Sequence, residues 1–436
     1  MGIRDIVLLA ILAACLPLSL LRPFFGLLVF SWLAYMRPND MTWGVNQFRP
    51  SLLIALATIL GVLWNKKERM VVLEKRTVLI GVFLAAVSVS ALLAPNPMAS
   101  FEKGNLADLG KILFIALLTT GLVSTRDRAR WLLLVIGMSL GALAIKSAIQ
   151  GVLTGGVMHG PGGAIEDNND YGLALVMTVP LLAYLARDEK GPFLKAVLVV
   201  MSVACVAGVL FTRSRGGVLA LALMGIFWMF KLRRNAWALT LAPLALALTI
   251  VVSPPELWTR VRNLATGAND ASATGRLVAW QKGMNMWDSH KVFGVGPGNF
   301  TDPAIWAATP PFDTGVEPKV AHNTYVQILA ESGIVALLIF VSMLLVTLWT
   351  LARTKVDPRD PWRARYADAL FLSLIGFMAG SFFLSRTHFD LTYHLIGFSV
   401  ALRVAAQGEA FDWFGIRKFL SRKGGDGRMH AEGRGA

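Results

Sequence analysis

Apolar segments of about 15 to 29 residues recur along the whole chain, separated by short polar stretches. An α-helix needs about 20 apolar residues to span the hydrocarbon core of a bilayer. Because most intervals are too short for a soluble domain, the pattern predicts an all-α polytopic membrane protein with about 12 transmembrane helices. The predicted spans are 5–36, 51–64, 77–94, 106–123, 131–150, 171–186, 193–211, 216–231, 236–252, 324–352, 367–385 and 391–407.

The same pattern divides the chain into four parts. Residues 1–252 form an N-terminal transmembrane bundle of about nine spans, and residues 322–407 add three more. Between them, residues 253–321 are the longest polar interval, which predicts a periplasmic loop with short amphipathic helices and catalytic elements. Residues 408–436 form a basic cytoplasmic tail whose composition is typical of disorder.

The charges indicate the orientation. A net charge of +15 could suggest nucleic acid, but 26 of the 42 Lys and Arg residues lie in segments expected to be cytoplasmic and 12 in those opposite. This bias follows the positive-inside rule, so the predicted partner is the bacterial inner membrane with its lipids, and no nucleic acid is expected. Cys15 and Cys205 lie within apolar segments, where neither a loop disulfide nor a thiolate metal site is expected.

The N-terminal segment 5–36 allows two interpretations. We expect it to cross once, with a break at Arg22-Pro23 and a cytoplasmic N-terminus. The alternative treats 5–21 and 24–36 as two short crossings, which gives thirteen spans and an external N-terminus. Both interpretations place the loop 253–321 outside.

The first candidate site is the short connection 212–217, which contains Arg213 and Arg215. A helix that starts here, capped by Ser214, offers free backbone N–H groups, and guanidinium groups match phosphate oxygens. The connection therefore predicts an anion site. In the alternative, both arginines extend to the membrane surface without a specific ligand.

The second candidate is the stretch that begins at Arg276, in which Leu277, Trp280, Met284 and Trp287 recur at helical spacing. This spacing predicts an amphipathic helix on the outer leaflet, with Trp at headgroup depth. Arg276 at its start is placed to contact lipid headgroups or one particular phosphate.

The third candidate is His322, where the long loop ends and a 29-residue apolar helix begins with Asn323 as the predicted N-cap. This helix is longer than a ~30 Å hydrocarbon core, so its first turns can hold His322 near the membrane surface. His322 could instead be a capping or interfacial group. Glu331 lies near the outer boundary of the helix, and pairing with an arginine would make it architectural.

These groups fit glycosyl transfer from a lipid diphosphate. Arginines stabilise the leaving diphosphate, and an imidazole can take the proton of an acceptor hydroxyl. This chemistry needs no metal and no cofactor. The acidic run 166–170 could supply oxygen ligands for a metal, but we expect it to be a polar loop that caps the helix from Tyr171.

At these places the sequence resembles the O-antigen ligase and O-antigen polymerase superfamily, which transfers glycans from undecaprenyl diphosphate. The first matching motif is a Ser-Arg-Gly turn at 214–216. The second is a Gly-Arg pair at 275–276 with a later Gly-rich turn at 294–300. The third is a His-Asn pair at 322–323 followed by Glu-x-Gly at 331–333. The segments 22–26 and 35–39 further resemble ligase-like members associated with exosortase systems.

The resemblance implies an inverting, metal-independent ligase on the periplasmic face that moves a preassembled glycan from undecaprenyl diphosphate to lipid A-core. It implies that Arg215 and Arg276 bind the diphosphate and that His322 is the general base. Three neighbours are assigned to substrate binding: Arg213, Asn323 and Glu331. With another acceptor the enzyme would be a polymerase or a protein O-glycosyltransferase. The alternative of another class is a transporter or flippase for lipid-linked glycans, with His322 relaying protons.

Overall fold

The computed structural model describes residues 2–65, 67–102, 105–232, 271–357 and 360–405. Within these ranges the regular structure is entirely helical. The α-helices are α1 (Ile3–Leu21), α2 (Pro23–Met36), α3 (Pro50–Trp64), α4 (Lys75–Leu92), α5 (Pro97–Glu102), α6 (Asn105–Leu122), α7 (Arg126–Thr154), α8 (Asn168–Asp188), α9 (Pro192–Phe211), α10 (Arg215–Leu232), α11 (Ala271–Ser289), α12 (Pro303–Ala308), α13 (Thr324–Ala352), α14 (Trp362–Gly380) and α15 (Asp390–Ala405).

Eight helical segments of the described residues are long and apolar enough to cross a membrane, and α2 is a shorter apolar helix. The predicted all-α polytopic membrane fold is therefore confirmed. The count of about 12 stays a prediction, because the span 236–252 lies outside the described residues. The first part of the long loop, 253–270, and the tail 408–436 also lie outside them.

Helix α8 forms the centre of the bundle. Nearly all of its side chains between Asp170 and Ala186 are buried, and they pack against α7, α9, α10 and α14. A helix that is apolar on all sides is typical of a position surrounded by other helices. Further along the chain α13 packs on α4, and α15 packs on α6. Residues 391–402 of α15 are all buried, so this helix is also enclosed by its neighbours. The starts of α8, α10 and α13 meet at one end of the bundle, which we call the site end.

The N-terminal segment 5–36 folds as a helical hairpin. The Trp43 N–H donates to Asp5 Oδ1 over 2.9 Å, so the start of α1 lies beside the chain that follows α2. Arg22 has a non-helical backbone (φ −135°, ψ 83°), and Pro23 has no N–H with which to continue α1. The expected single crossing is therefore wrong, and the two-helix alternative is the observed arrangement. The hairpin moves the N-terminus to the end of the bundle at which α2 ends.

Helix α13 has the predicted bounds, but it is broken at Gly333. This residue has φ 75° and ψ −177°, a conformation that is essentially restricted to glycine. A Cβ at this position would lie 2.1 Å from the carbonyl oxygen of Val292. The break separates residues 324–332, which we call the site-end segment, from residues 334–352.

Candidate functional site

The turn between α9 and α10 contains the first two candidate arginines. Ser214 Oγ accepts the Gly217 N–H over 3.1 Å at the start of α10, which confirms the predicted cap. Arg213 has a left-handed backbone (φ 54°), and its Nη2 donates to the carbonyl oxygen of Gly155 over 2.7 Å. Arg215 is half-buried in the first turn of α10. It therefore lies where the positive end of the helix dipole also favours an anion.

This turn packs against α8 and against the connection between α14 and α15. Asn168 Nδ2 donates to the carbonyl oxygen of Thr212 over 2.8 Å. A Cβ at Gly216 would lie 2.8 Å from the Cβ of Phe383. The glycine therefore allows the α14–α15 connection to approach the start of α10 closely.

The α14–α15 connection contributes Arg386, a residue that the sequence analysis did not single out. Its guanidinium forms a bidentate ion pair with the carboxylate of Asp170, which is buried in the first turn of α8. Its backbone N–H donates to Thr324 Oγ1 over 2.9 Å. Arg386 thus joins the starts of α8 and α13. Its position in a short connection that is expected to be external runs against the positive-inside bias, and this was the signal in the sequence.

The acidic run 166–170 has the expected capping role. Asp167 caps α8 by accepting the Asn169 N–H over 2.8 Å, and Asp170 is engaged by Arg386. In the described ranges no three His, Cys, Asp or Glu side chains are grouped as metal ligands would be.

His322 lies immediately before α13, with a left-handed backbone (φ 49°) and a half-buried side chain. The next residue, Asn323, is the N-cap, as predicted. Its Oδ1 accepts the N–H groups of Tyr325 and Val326 over 3.0 and 3.2 Å. The cap fixes where the helix begins and thereby fixes the position of His322.

Three charged groups act on the imidazole of His322. Burial lowers the pKa of His322 below its usual 6.5, and the positive charge of Arg276 lowers it further. Asp167 raises this pKa and Lys319 lowers it, and the net direction is downward. The imidazole is therefore neutral at pH 7, which is the form that can accept a proton.

Lys319 is a second cation that the sequence analysis did not single out. A Cβ at Gly275 would lie 2.1 Å from Lys319 Nζ, so the ammonium group rests on the backbone next to Arg276. The glycine of the Gly-Arg pair therefore has a steric role, because it makes room for this contact. No local motif marks Lys319; only the fold brings it to Gly275.

The predicted helix is present as α11, but the predicted apolar stripe is not the face that packs against the protein. Leu277 and Met284 of the predicted stripe are 63% and 41% exposed. The two tryptophans are half-buried, and the Trp280 indole N–H donates to the carbonyl oxygen of Ala321 over 2.7 Å. The opposite face contains Lys282, which is 2% exposed. Its Nζ donates to the carbonyl oxygens of two residues near the end of α12, Trp306 and Thr309. The contact of the stripe with a leaflet stays a prediction.

Glu331 holds the Gly-rich turn on α13. Its Oε1 accepts the Gly298 N–H over 3.0 Å, and its backbone oxygen accepts the Gly296 N–H over 2.7 Å. The same backbone oxygen accepts the Ser90 hydroxyl over 2.8 Å. Gly294, Gly296 and Gly298 all have positive φ, which explains the glycine spacing of this motif. The structure thus shows a scaffolding contact for Glu331.

The described contacts bring the candidate segments together. Arg276 lies close enough to His322 to lower its pKa. The turn that carries Arg215 packs on Phe383, three residues before Arg386, and Arg386 is bonded to Thr324 beside His322. The α14–α15 connection thus contacts both the turn that carries Arg215 and the start of α13. All of these groups lie at the site end.

These features define a polytopic all-α membrane protein in which cations and the imidazole of His322 are gathered at one end of the bundle. Residues 200–341 match the family model described as O-antigen ligase, which supports the predicted resemblance to the O-antigen ligase superfamily over that part of the chain. Residues 3–190 match a family of unknown function, DUF5935. No curated protein matches the chain.

The O-antigen ligase match includes every candidate residue: Arg213, Arg215, Arg276, His322, Asn323 and Glu331. It supports a membrane glycosyltransferase of the O-antigen ligase and polymerase type. Arg386 and Asp170 lie outside this match, although they form the ion pair on which the start of α13 rests.

Proposed function

We propose that the chain is an O-antigen ligase that moves a preassembled glycan from undecaprenyl diphosphate to a hydroxyl of lipid A-core. In this proposal the reaction takes place at the periplasmic face of the bacterial inner membrane, without metal or cofactor and with inversion. The carrying observation is the half-buried His322, which is held neutral by burial and Arg276 inside the matched region.

The proposed chemistry is a single displacement. The acceptor oxygen attacks the anomeric carbon from the side opposite the diphosphate, while His322 takes the hydroxyl proton. The bond from the anomeric carbon to the diphosphate oxygen breaks, and the diphosphate leaves with the electron pair. Arg215 and Arg276 stabilise the charge on its oxygens, so no general acid is required.

Three neighbours have supporting roles in the proposal. Arg213 reaches the donor with the guanidinium N–H groups that do not bind Gly155. Asn323 contacts substrate through its amide nitrogen, since its oxygen caps α13. For Glu331 the contact with Gly298 favours a scaffolding contribution.

The decisive experiment uses the purified full-length protein in detergent with an undecaprenyl-diphosphate-linked glycan. We expect glycosylated lipid A-core and one released undecaprenyl diphosphate per transfer. A flippase would not give this product, because it moves a lipid across a bilayer without forming a glycosidic bond. Parallel reactions offer a glycan unit or a Ser/Thr peptide, and preferred transfer to either would replace ligase by polymerase or protein O-glycosyltransferase. An intact donor with all three acceptors would overturn the proposal.

A further inference from the structure

A recess of about 490 Å³ lies at the site end, on the side of the N-terminal hairpin. We call it the N-terminal cleft. It lies where the start of α1, the loop after α2, the last part of α7 and the segment 157–161 meet. Its polar side chains are Arg4, Asp40, Lys146, Gln150 and His159.

The cleft is electropositive. Asp40, its acidic side chain, is already engaged: Oδ2 accepts from Arg37 over 2.5 Å, and Oδ1 accepts from Asn46 over 2.8 Å. Neither Arg4 nor Lys146 forms an ion pair with any carboxylate in the described ranges. Two cations therefore face the recess, and a ligand anion can contact both.

Lys146 is an unusual residue for its position. It lies in α7, eight residues before the last residue of the helix, Thr154, and thus about 12 Å below its end. An ionisable side chain inside an apolar span is costly and points to a function. The hairpin brings Arg4 to the same recess, which the single-crossing topology would not allow.

The cleft adjoins an exposed apolar surface. Lys146, Ile149, Gln150 and Leu153 follow an i, i+3, i+4, i+7 spacing and share one face of α7. Ile149 and Leu153 are 56% and 78% exposed. A cationic recess beside a lipid-facing stripe matches an amphiphile with an anionic headgroup and acyl chains.

The segment 155–158, beside the cleft, is hydrogen-bonded to the turn that carries Arg215. The Met158 N–H donates to the carbonyl oxygen of Phe211 over 3.1 Å, and Arg213 donates to that of Gly155 over 2.7 Å. Phe211 and Arg213 lie four and two residues before Arg215. A ligand in the cleft would therefore lie next to the proposed donor site.

We infer that the N-terminal cleft binds the phosphorylated sugar headgroup of the acceptor lipid, with Arg4 and Lys146 on its phosphates and its acyl chains along α7. The inference rests on the proposed function, because it assigns the second substrate of that reaction. It adds a binding site that is separate from the cations assigned to the donor.

The test measures binding of bisphosphorylated lipid A to the full-length protein in phosphatidylcholine nanodiscs, without donor. We expect Lys146→Gln to weaken binding about tenfold through loss of one charge-assisted contact, and Lys146→Arg to retain it. Lys111→Gln is the matched control, since Lys111 is an exposed lysine in another apolar helix, paired with Asp108. Equal effects of Lys146→Gln and Lys111→Gln on binding would overturn the inference.

Competitors identify the source of the phosphate. Excess phosphatidylglycerol or inorganic phosphate should displace the probe poorly, and full displacement by either would reduce the cleft to a general anionic surface and overturn the inference. Because binding is measured without turnover, the two proposals fail separately. Specific binding with no glycan transfer would remove only the proposed function, whereas transfer that Lys146→Gln leaves unchanged would remove only the acceptor site.

Discussion

Just before the site-end segment of α13, His322 is half-buried among groups of both charge signs, and Asn323 and Thr324 anchor the backbone that follows it. Nine residues later, Glu331 is buried, and both its side chain and its backbone oxygen bind the Gly-rich turn. Both ends carry motifs of the same superfamily. The first end leaves an ionisable group poised for chemistry, while the second uses its ionisable group to hold backbone. A shared motif therefore does not imply a shared kind of role.

We expect the largest effect from the substitution that removes the imidazole of His322. His322→Ala should lower kcat about a hundredfold or more, the usual loss for a general base, while donor binding survives. The measurement is single-turnover transfer together with donor titration. His290→Ala is the control, because His290 is an exposed histidine in the same loop and should leave kcat unchanged. Near-normal turnover of His322→Ala would show that His322 is not the general base, and the two motifs would then not differ in the kind of role they have.

The next effect concerns the diphosphate. Arg215→Lys should lower kcat/KM on the order of a hundredfold, because an ammonium group cannot reproduce two parallel guanidinium contacts. Arg126→Lys, at the opposite end of the bundle, keeps a charge near Asp188 and Asp360 and should behave as the parent protein. Steady-state kinetics with varied donor check this. Full activity of Arg215→Lys would show that this position needs only a positive charge and not a bidentate guanidinium contact.

Substitutions of Glu331, which holds the Gly-rich turn, should change the stability of the protein. Glu331→Ala removes the carboxylate that accepts the half-buried Gly298 N–H and should lower the free energy of unfolding by about 1–3 kcal/mol. Glu331→Gln retains an oxygen acceptor and should recover most of that loss. Denaturation of the detergent-solubilised variants, paired with KM values for the folded fraction, separates the roles. A stable but inactive Glu331→Gln protein would instead indicate direct substrate contact.

The smallest effect is a pair of opposite shifts in pH dependence. The base must be neutral, so activity is present above the pKa of His322 and lost as the pH falls through it. Lys319 lowers this pKa, so Lys319→Gln should raise it and move the acidic limb to higher pH. Asp167 raises it, so Asp167→Asn should move the limb to lower pH, and Asn still caps α8. Shifts in the same direction would contradict the electrostatic assignment.

Local sequence patterns were sufficient for much of this architecture. Apolar length located α13 at its observed bounds, and the capping roles of Ser214 and Asn323 follow from residue type and position alone. The hairpin was harder to predict, because a proline ends a helix without specifying where the chain turns. The hydrogen bond between Asp5 and Trp43 shows that α1 and α2 fold back on each other. Because it joins residues 38 positions apart, local sequence patterns do not predict it.

The least predictable part of the site depends on long-range contacts. Arg386 and Asp170 are 216 positions apart, and nothing near either residue specifies the other. Lys319 reaches Gly275 only because the loop folds back on α11. Likewise, Gly333 looked like part of an uninterrupted apolar helix. Its break follows from the close approach of Val292, which the sequence of α13 does not encode.

The break at Gly333 has a consequence for hydrophobic mismatch. Residues 334–352 are 19 residues long, about 28 Å of helix, which is close to the thickness of a bilayer core. In a thinner or thicker membrane this part can tilt, as spanning helices do. The site-end segment is fastened to the Gly-rich turn and to Arg386, so it need not follow. The position of His322 relative to the Gly-rich turn and to Arg386 should therefore not depend on lipid composition.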